Sequence, residues 1–185
     1  MDDQLLQQAV SFYGKPFSVA HVFGSGLINH TWKLSAGDEN FIFQKINTEV
    51  FKQPGKIDEN LQILSVFFAQ QHPGYLFTAP LKGKNGHSLL QINYGYYRCF
   101  VFVKNSHTVD VVQTTSQAYE AAAQFGKFTT LLNDFDAKRL HITLPDFHNL
   151  ALRYQQFETA MNNGNTQRIA QAVEEISFLQ SQKTI

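Results

Sequence analysis

Cysteine is almost absent from this chain: its 185 residues include one, Cys99. An intrachain disulfide is thereby excluded, and a reducing, cytoplasmic setting is the expectation. Net charge is lacking as well, with 15 basic against 15 acidic residues. No electrostatic case exists for nucleic acid or an anionic membrane as partner. No apolar run approaches the roughly 20 residues that a membrane-spanning helix needs. The opening residues Met1-Asp2-Asp3-Gln4 have no basic segment leading into an apolar stretch, so no signal peptide is expected. Internal repeats and low-complexity segments are also missing. What is plentiful is apolar surface: 43% of residues are hydrophobic and 17 are phenylalanine. Such a chain folds, as one domain or one and a fraction of another.

The stretch Gly24-Ser25-Gly26-Leu27-Ile28-Asn29-His30-Thr31-Trp32 stands between two segments that read as strands, 17–23 and 31–34. Two glycines one residue apart permit a tight turn with close backbone approach and positive φ. Consecutive amides in such a turn can converge on an anion, helped by Ser25, Asn29 and Thr31. A hairpin whose glycines serve only the turn is the alternative. Upstream, residues 2–13 read as a helix capped by Asp2 or Asp3 and ended by Gly14 and Pro16. Downstream, 40–46 reads as a strand with Phe41, Phe43 and Lys45 on one face and Ile42, Gln44 and Ile46 on the other. Lys45 either snorkels at the sheet edge or reaches into a cleft.

A helix over 57–71 follows, with Ile57, Leu61, Leu64 and Phe68 as its stripe and Glu59 beside it. Residues 75–82 and 87–92 read as a strand pair around Lys84-Asn85-Gly86. Residues 96–103 are apolar apart from Arg98, the pattern of a strand buried on both faces. At Lys104-Asn105-Ser106-His107 the composition turns from strand to helix, and a hinge is placed there. Helices are expected over 116–132, from Leu144-Pro145-Asp146 to about 161, and over 166–179.

The order of these parts resembles the N-terminal lobe of protein-kinase-like phosphotransferases, and more narrowly the aminoglycoside phosphotransferase and choline kinase superfamily. The glycine stretch, Phe43-Gln44-Lys45-Ile46-Asn47 with Val50-Phe51, residues 98–102, Ala118-Tyr119-Glu120-Ala121-Ala122 and Leu144-Pro145-Asp146-Phe147-His148-Asn149 with Arg153-Tyr154 are similar to the N-acetylhexosamine kinase group. The resemblance covers nearly the whole chain. It implies an α+β fold: a kinase-like N-lobe over 1–103, with about five antiparallel strands and a C-type helix, then the helical start of a larger lobe over 104–185.

The resemblance also implies a site for ATP. Gly24, Ser25, Gly26 and Asn29 would cover the phosphates, and Lys45 would meet the α- and β-phosphates. Glu59 would be its ion-pair partner, with Glu49 as the second candidate, and Asn60 competes with Glu59 for the inward position. Phe102 and Val103 would border adenine at the hinge, and Tyr97 or Arg98 could edge the same pocket. The acceptor in the complete enzyme would be a sugar.

In this superfamily a His-x-Asp loop and a later aspartate supply the base and the magnesium site. None of the seven histidines here has aspartate two residues on. Asp134-Phe135-Asp136 and Asp146-Phe147-His148 lie too early in the chain to replace them and read as helix caps. The expectation is therefore an N-terminal part, inactive alone, with Mg2+ joining only alongside the missing lobe. A non-catalytic module that self-associates through the face meant for that lobe is the alternative. Cys99 reads as a packed, inert thiol.

Overall fold

The computed structural model describes residues 1–183. The chain divides into two compact units, Met1–Thr143 and Leu144–Ile185. The first opens with helix α1 (Asp3–Tyr13), begun by Asp2, whose Oδ1 accepts from the Leu5 N–H at 2.7 Å. It ends at Gly14, whose φ of +65° suits a residue without Cβ. Five antiparallel strands follow: β1 (Val19–Val22), β2 (His30–Ala36), β3 (Glu39–Ile46), β4 (Leu90–Ile92) and β5 (Gly95–Val101). Their order across the sheet is β1-β2-β3-β5-β4. Helix α2 (Pro54–Gln71) falls between β3 and β4, and α3 (Thr115–Leu131) follows β5.

Register assigns the two faces of the sheet. Phe43 pairs with Trp32 and Cys99, and Gln44 pairs with Thr31 and Arg98. Because side chains alternate, Trp32, Leu34, Phe41, Phe43, Tyr97 and Cys99 lie together on one face. They meet Ala9 and Tyr13 of α1 and form the main core with Phe17, Ala36 and Leu90. Phe43 is wholly buried and stacks on Tyr97, ring centroids 5.4 Å apart and planes 7° apart. The Tyr13 hydroxyl donates to the Ser88 carbonyl at 2.9 Å, and burial, with the nearby Cys99 and Asp58, drives its pKa far upward.

Residues 75–82 form irregular coil rather than the expected strand. Pro80 has no N–H to give a ladder, and the segment's tie to the sheet is Leu81 N–H to the Cys99 carbonyl at 2.7 Å. The Asn85-Gly86 turn does form, with Gly86 at φ +82°, but the return strand is only Leu90–Ile92. Tyr94 sits exposed at the β4–β5 turn. β5 is not buried on both faces either. Tyr97 and Cys99 are buried, whereas Arg98 and Phe100 are half-buried on the other side and Val101 is half-exposed.

The first compact unit continues past the expected hinge at 103/104. Phe68, buried on α2, stacks on Phe77 and on Phe128 of α3, at 4.9 and 5.7 Å. Phe67 meets Phe135 edge-on at 5.0 Å. Of these, the Phe68–Phe128 contact joins α2 to α3. The second unit carries α4 (Leu150–Asn163), α5 (Thr166–Gln171) and α6 (Val173–Ser181). Asn149 caps α4 with its side-chain oxygen on the Leu152 N–H at 3.0 Å, so the helix starts six residues after Leu144. The helix expected over 166–179 is broken at Ala172. Among the described residues, no helix is long and apolar enough to cross a membrane.

Candidate functional site

The face of the sheet opposite α1 carries a cleft of about 360 Å3. Ile42 and Gln44 of β3 line it with Arg98 and Phe100 of β5, and Phe23, Thr78, Phe102, Val103 and residues 106–108 close its rim. The aromatic rim is braced. Phe23 meets the Phe102 ring edge-on at 5.8 Å, and Lys33 Nζ lies 3.9 Å from the Phe102 centroid. The expected Phe102 and Val103 are therefore at this cleft. Two of their backbone groups are already engaged, since the Phe102 N–H donates to the Asn40 carbonyl at 2.9 Å and the Val103 carbonyl accepts from Ser106 Oγ at 2.6 Å.

A polar chain crosses three strands on the cleft face. Arg98 Nε and Nη2 donate to Gln44 Oε1 at 3.0 and 2.7 Å. Gln44 Nε2 donates to Thr31 Oγ1 at 3.1 Å. The Arg98 guanidinium also stands over the Phe100 ring, 5.3 Å from its centroid. Burial pulls its pKa down, and the Asp58 charge partly restores it. The Asp58 carboxylate itself accepts from Ser88 Oγ, at 2.6 and 2.7 Å to its two oxygens, and Gln62 Nε2 donates to the same hydroxyl at 3.0 Å.

The other expected site residues are placed differently. Lys45 lies on the α1 face with Phe41 and Phe43, exposed, its Nζ 6.0 Å from the Tyr97 centroid. It borders a separate depression with Asp2, Gln8 and Thr48. The reason is strand geometry: a side chain two residues from Phe43 must share the core side of the sheet. The expected convergence of Lys45 with the cleft is thus corrected. Glu59 pairs with His141 Nε2 at 2.7 Å, and Glu49 with Lys52 at 3.3 Å, so neither carboxylate is paired with Lys45. Asn60, the alternative inward residue, exchanges two hydrogen bonds with the His141 backbone, at 2.9 and 2.8 Å.

The glycine loop is exposed, and Gly24 has φ +79°, a conformation for which glycine is suited. A Cβ at Gly24 or Gly26 would meet nothing within 4 Å. Ser25 Oγ donates to Asp110 at 2.8 Å, and Asn29 Oδ1 accepts from the Asn47 N–H at 2.9 Å. Gly24, Ser25, Gly26 and Asn29 do not line the cleft wall itself. Asp136 caps the short 3-10 turn Ala137–Arg139 through the Lys138 N–H, and no cluster of three metal-ligating side chains occurs among the described residues.

A larger depression of about 450 Å3 lies at the end of α2, beside Phe67, His72, Phe135 and Arg139. It contains none of the expected residues, and its His72 is tied by Nε2 to the Leu131 carbonyl at 2.9 Å. Loss of the half-exposed Glu59–His141 pair, as Glu59→Gln, should change stability by less than about 1 kcal/mol. Asn60→Ala, which strands two backbone groups, should cost about 1–3 kcal/mol. Urea denaturation of both variants checks the ordering, and equal losses would refute it.

Sequence reasoning missed Gln44 as part of the site and gave Arg98 only a bordering place. The signal was present in the alternation: if Phe41 and Phe43 are core, Gln44 faces the other way. No protein-family model matches the chain. Among solved structures, it is similar to spectinomycin phosphotransferase, APH(9)-Ia, in complex with ADP and spectinomycin. There the TM-score is 0.54 and the identity 11%, covering 74% of this chain and 39% of that one. It is also similar to a microcompartment-associated aminopropanol kinase, with TM-score 0.54 and 16% identity over 79% of this chain and 43% of that one. The chain spans about two fifths of the length of these structures. Over the shared region it has their kinase-like α+β fold, with a five-stranded antiparallel sheet and its helices.

Proposed function

We propose that this chain is the nucleotide-binding part of an ATP-dependent small-molecule kinase of the aminoglycoside phosphotransferase type. The observation that carries the reading is the cleft on the open face of the sheet, with an aromatic rim at Phe23, Phe100 and Phe102 and a cationic floor at Arg98. An aromatic rim suits a purine, and a half-buried cation suits phosphate. The ADP bound in the spectinomycin phosphotransferase of like fold supports this assignment. The glycine loop, with amides 24–26 unshielded by side chains on the glycines, adds a second phosphate-facing element in the reading.

The acceptor is proposed to be a sugar of the N-acetylhexosamine class, on the strength of the sequence blocks similar to that kinase group. The reaction would be in-line transfer of the γ-phosphoryl group to a hydroxyl. Residues 1–185 hold no His-x-Asp to orient that hydroxyl, and the reading assigns them binding without turnover. Magnesium would accompany the nucleotide through ligands supplied with the second lobe.

Calorimetric titration with ADP tests the proposal. Saturable one-to-one binding is expected, with no N-acetylhexosamine-dependent release of ADP when ATP is supplied. Absence of nucleotide binding would overturn the reading. Sugar-dependent turnover by the purified chain would overturn the assignment of binding alone.

A further inference from the structure

We infer that Arg98, and not Lys45, is the cation that takes the nucleotide phosphates, and that Gln44 and Thr31 position it. The inference rests on the nucleotide reading above and assigns its phosphate site to named side chains. Three observations carry it, each independent of resemblance to any family.

The first is sidedness. Lys45 and Arg98 stand on adjacent strands, β3 and β5, but on opposite faces, because Lys45 pairs with Tyr97 and Arg98 with Gln44. Only Arg98 lines the cleft. The second is the absence of a contacting counter-ion. Among the described residues, Arg98 is in none of the ion pairs. Its hydrogen-bond partner is the neutral Gln44 amide, and the Asp58 carboxylate is committed to the Ser88 hydroxyl. The guanidinium is taken partly out of water with the Asp58 charge nearby but no anion in contact, so its compensation is only partial, and an arriving phosphate adds to it.

The third is preorganisation. A guanidinium has five N–H donors, and Gln44 occupies two of them, leaving three for a ligand. Gln44 presents its oxygen to Arg98 because its nitrogen is spent on Thr31 Oγ1. With Phe100 against its face, the fork is held in plane before ligand arrives. A planar, fixed fork suits phosphate oxygens better than a flexible ammonium on the wrong side of the sheet.

The test compares ADP with adenosine by calorimetry on the unmutated chain and on Arg98→Gln, Arg98→Lys, Lys45→Ala and Gln44→Leu, with circular dichroism as the control for folding. Arg98→Gln should weaken ADP about 10- to 100-fold and leave adenosine within about twofold, the loss of a charge-assisted pair. Gln44→Leu should weaken ADP by about 3- to 10-fold, with the same indifference to adenosine, since it frees the fork without removing the charge. Lys45→Ala should match the unmutated chain. If Arg98→Gln does not fold, Arg98→Lys decides: it should lose ADP affinity selectively, the charge being kept and the fork lost. ADP affinity lost with Lys45→Ala and retained in the Arg98 variants would overturn the inference and leave the nucleotide reading standing. Equal weakening of ADP and adenosine by the Arg98 variants would overturn it too, as the mark of a structural role alone. No ADP binding by the unmutated chain would overturn the nucleotide reading as well.

Discussion

Phe43→Ala should destabilise the protein by about 3–5 kcal/mol, the usual cost of emptying a packed phenylalanine site. Phe43 has no exposed surface and sits at the centre of the sheet, between Trp32 on β2 and Cys99 on β5. Its ring stacks on Tyr97 at 5.4 Å and is met edge-on by Tyr13 at 6.4 Å. Truncation leaves a void under α1 that strands joined by ladder hydrogen bonds cannot easily close. A fall in melting temperature of about 6–20 °C is expected for a chain of this size. Thermal and urea unfolding measure it, and a loss under about 1 kcal/mol would show that this face is not the core. Phe43 also sets the register that turns Gln44 toward the cleft, so the variant should weaken ADP binding before it unfolds.

Cys99 should resist thiol reagents in the native state by a factor on the order of 10^3, judged against the unfolded chain at about pH 8. Burial pushes its thiol from the ordinary 9.0 up to about 12, against the weaker opposing pull of Lys15 and the Phe100 backbone. Thiolate is the attacking species, so a shift of that size removes most of the reactive form before steric shielding is counted. The pH dependence of stability follows in sign. The unfolded chain ionises this thiol near pH 9 and the folded chain keeps it neutral. Its contribution is therefore whole below pH 9 and is lost as the pH rises toward 12. Stopped-flow labelling with a chromogenic disulfide, with and without urea, gives the ratio. Native labelling as fast as unfolded labelling would mean that β5 opens readily.

Both predictions concern the α1 side of the sheet, yet they bear on the opposite side. A sheet one residue thick has no independent faces: whichever side chains are claimed by the core leave the alternate ones for the cleft. Tyr97 and Cys99 in the core put Arg98 and Phe100 in the cleft, and Phe43 in the core puts Gln44 there. The candidate phosphate site is in this sense a consequence of how α1 packs.

Much of the architecture was legible in the residues alone. Asp2 and Gly14 bracket α1 because a short acceptor side chain and a Cβ-free residue satisfy helix ends locally. The strands at 30–36 and 39–46, and helices α2 and α3, announce themselves by periodicity. Local signals failed where a neighbour was needed to decide. The stretch 75–82 has strand composition, but a strand exists only where another chain segment offers a ladder. Glu59 lies on α2, yet His141, 82 residues away in sequence, takes its carboxylate. By itself the sequence determined most of the elements, the buried thiol and the two-residue alternation that separates Lys45 from Gln44. Only the tertiary structure decided which of those alternating sets is core, because that depends on where α1 docks, and docking is a non-local balance of buried apolar surface that no window of neighbouring residues contains.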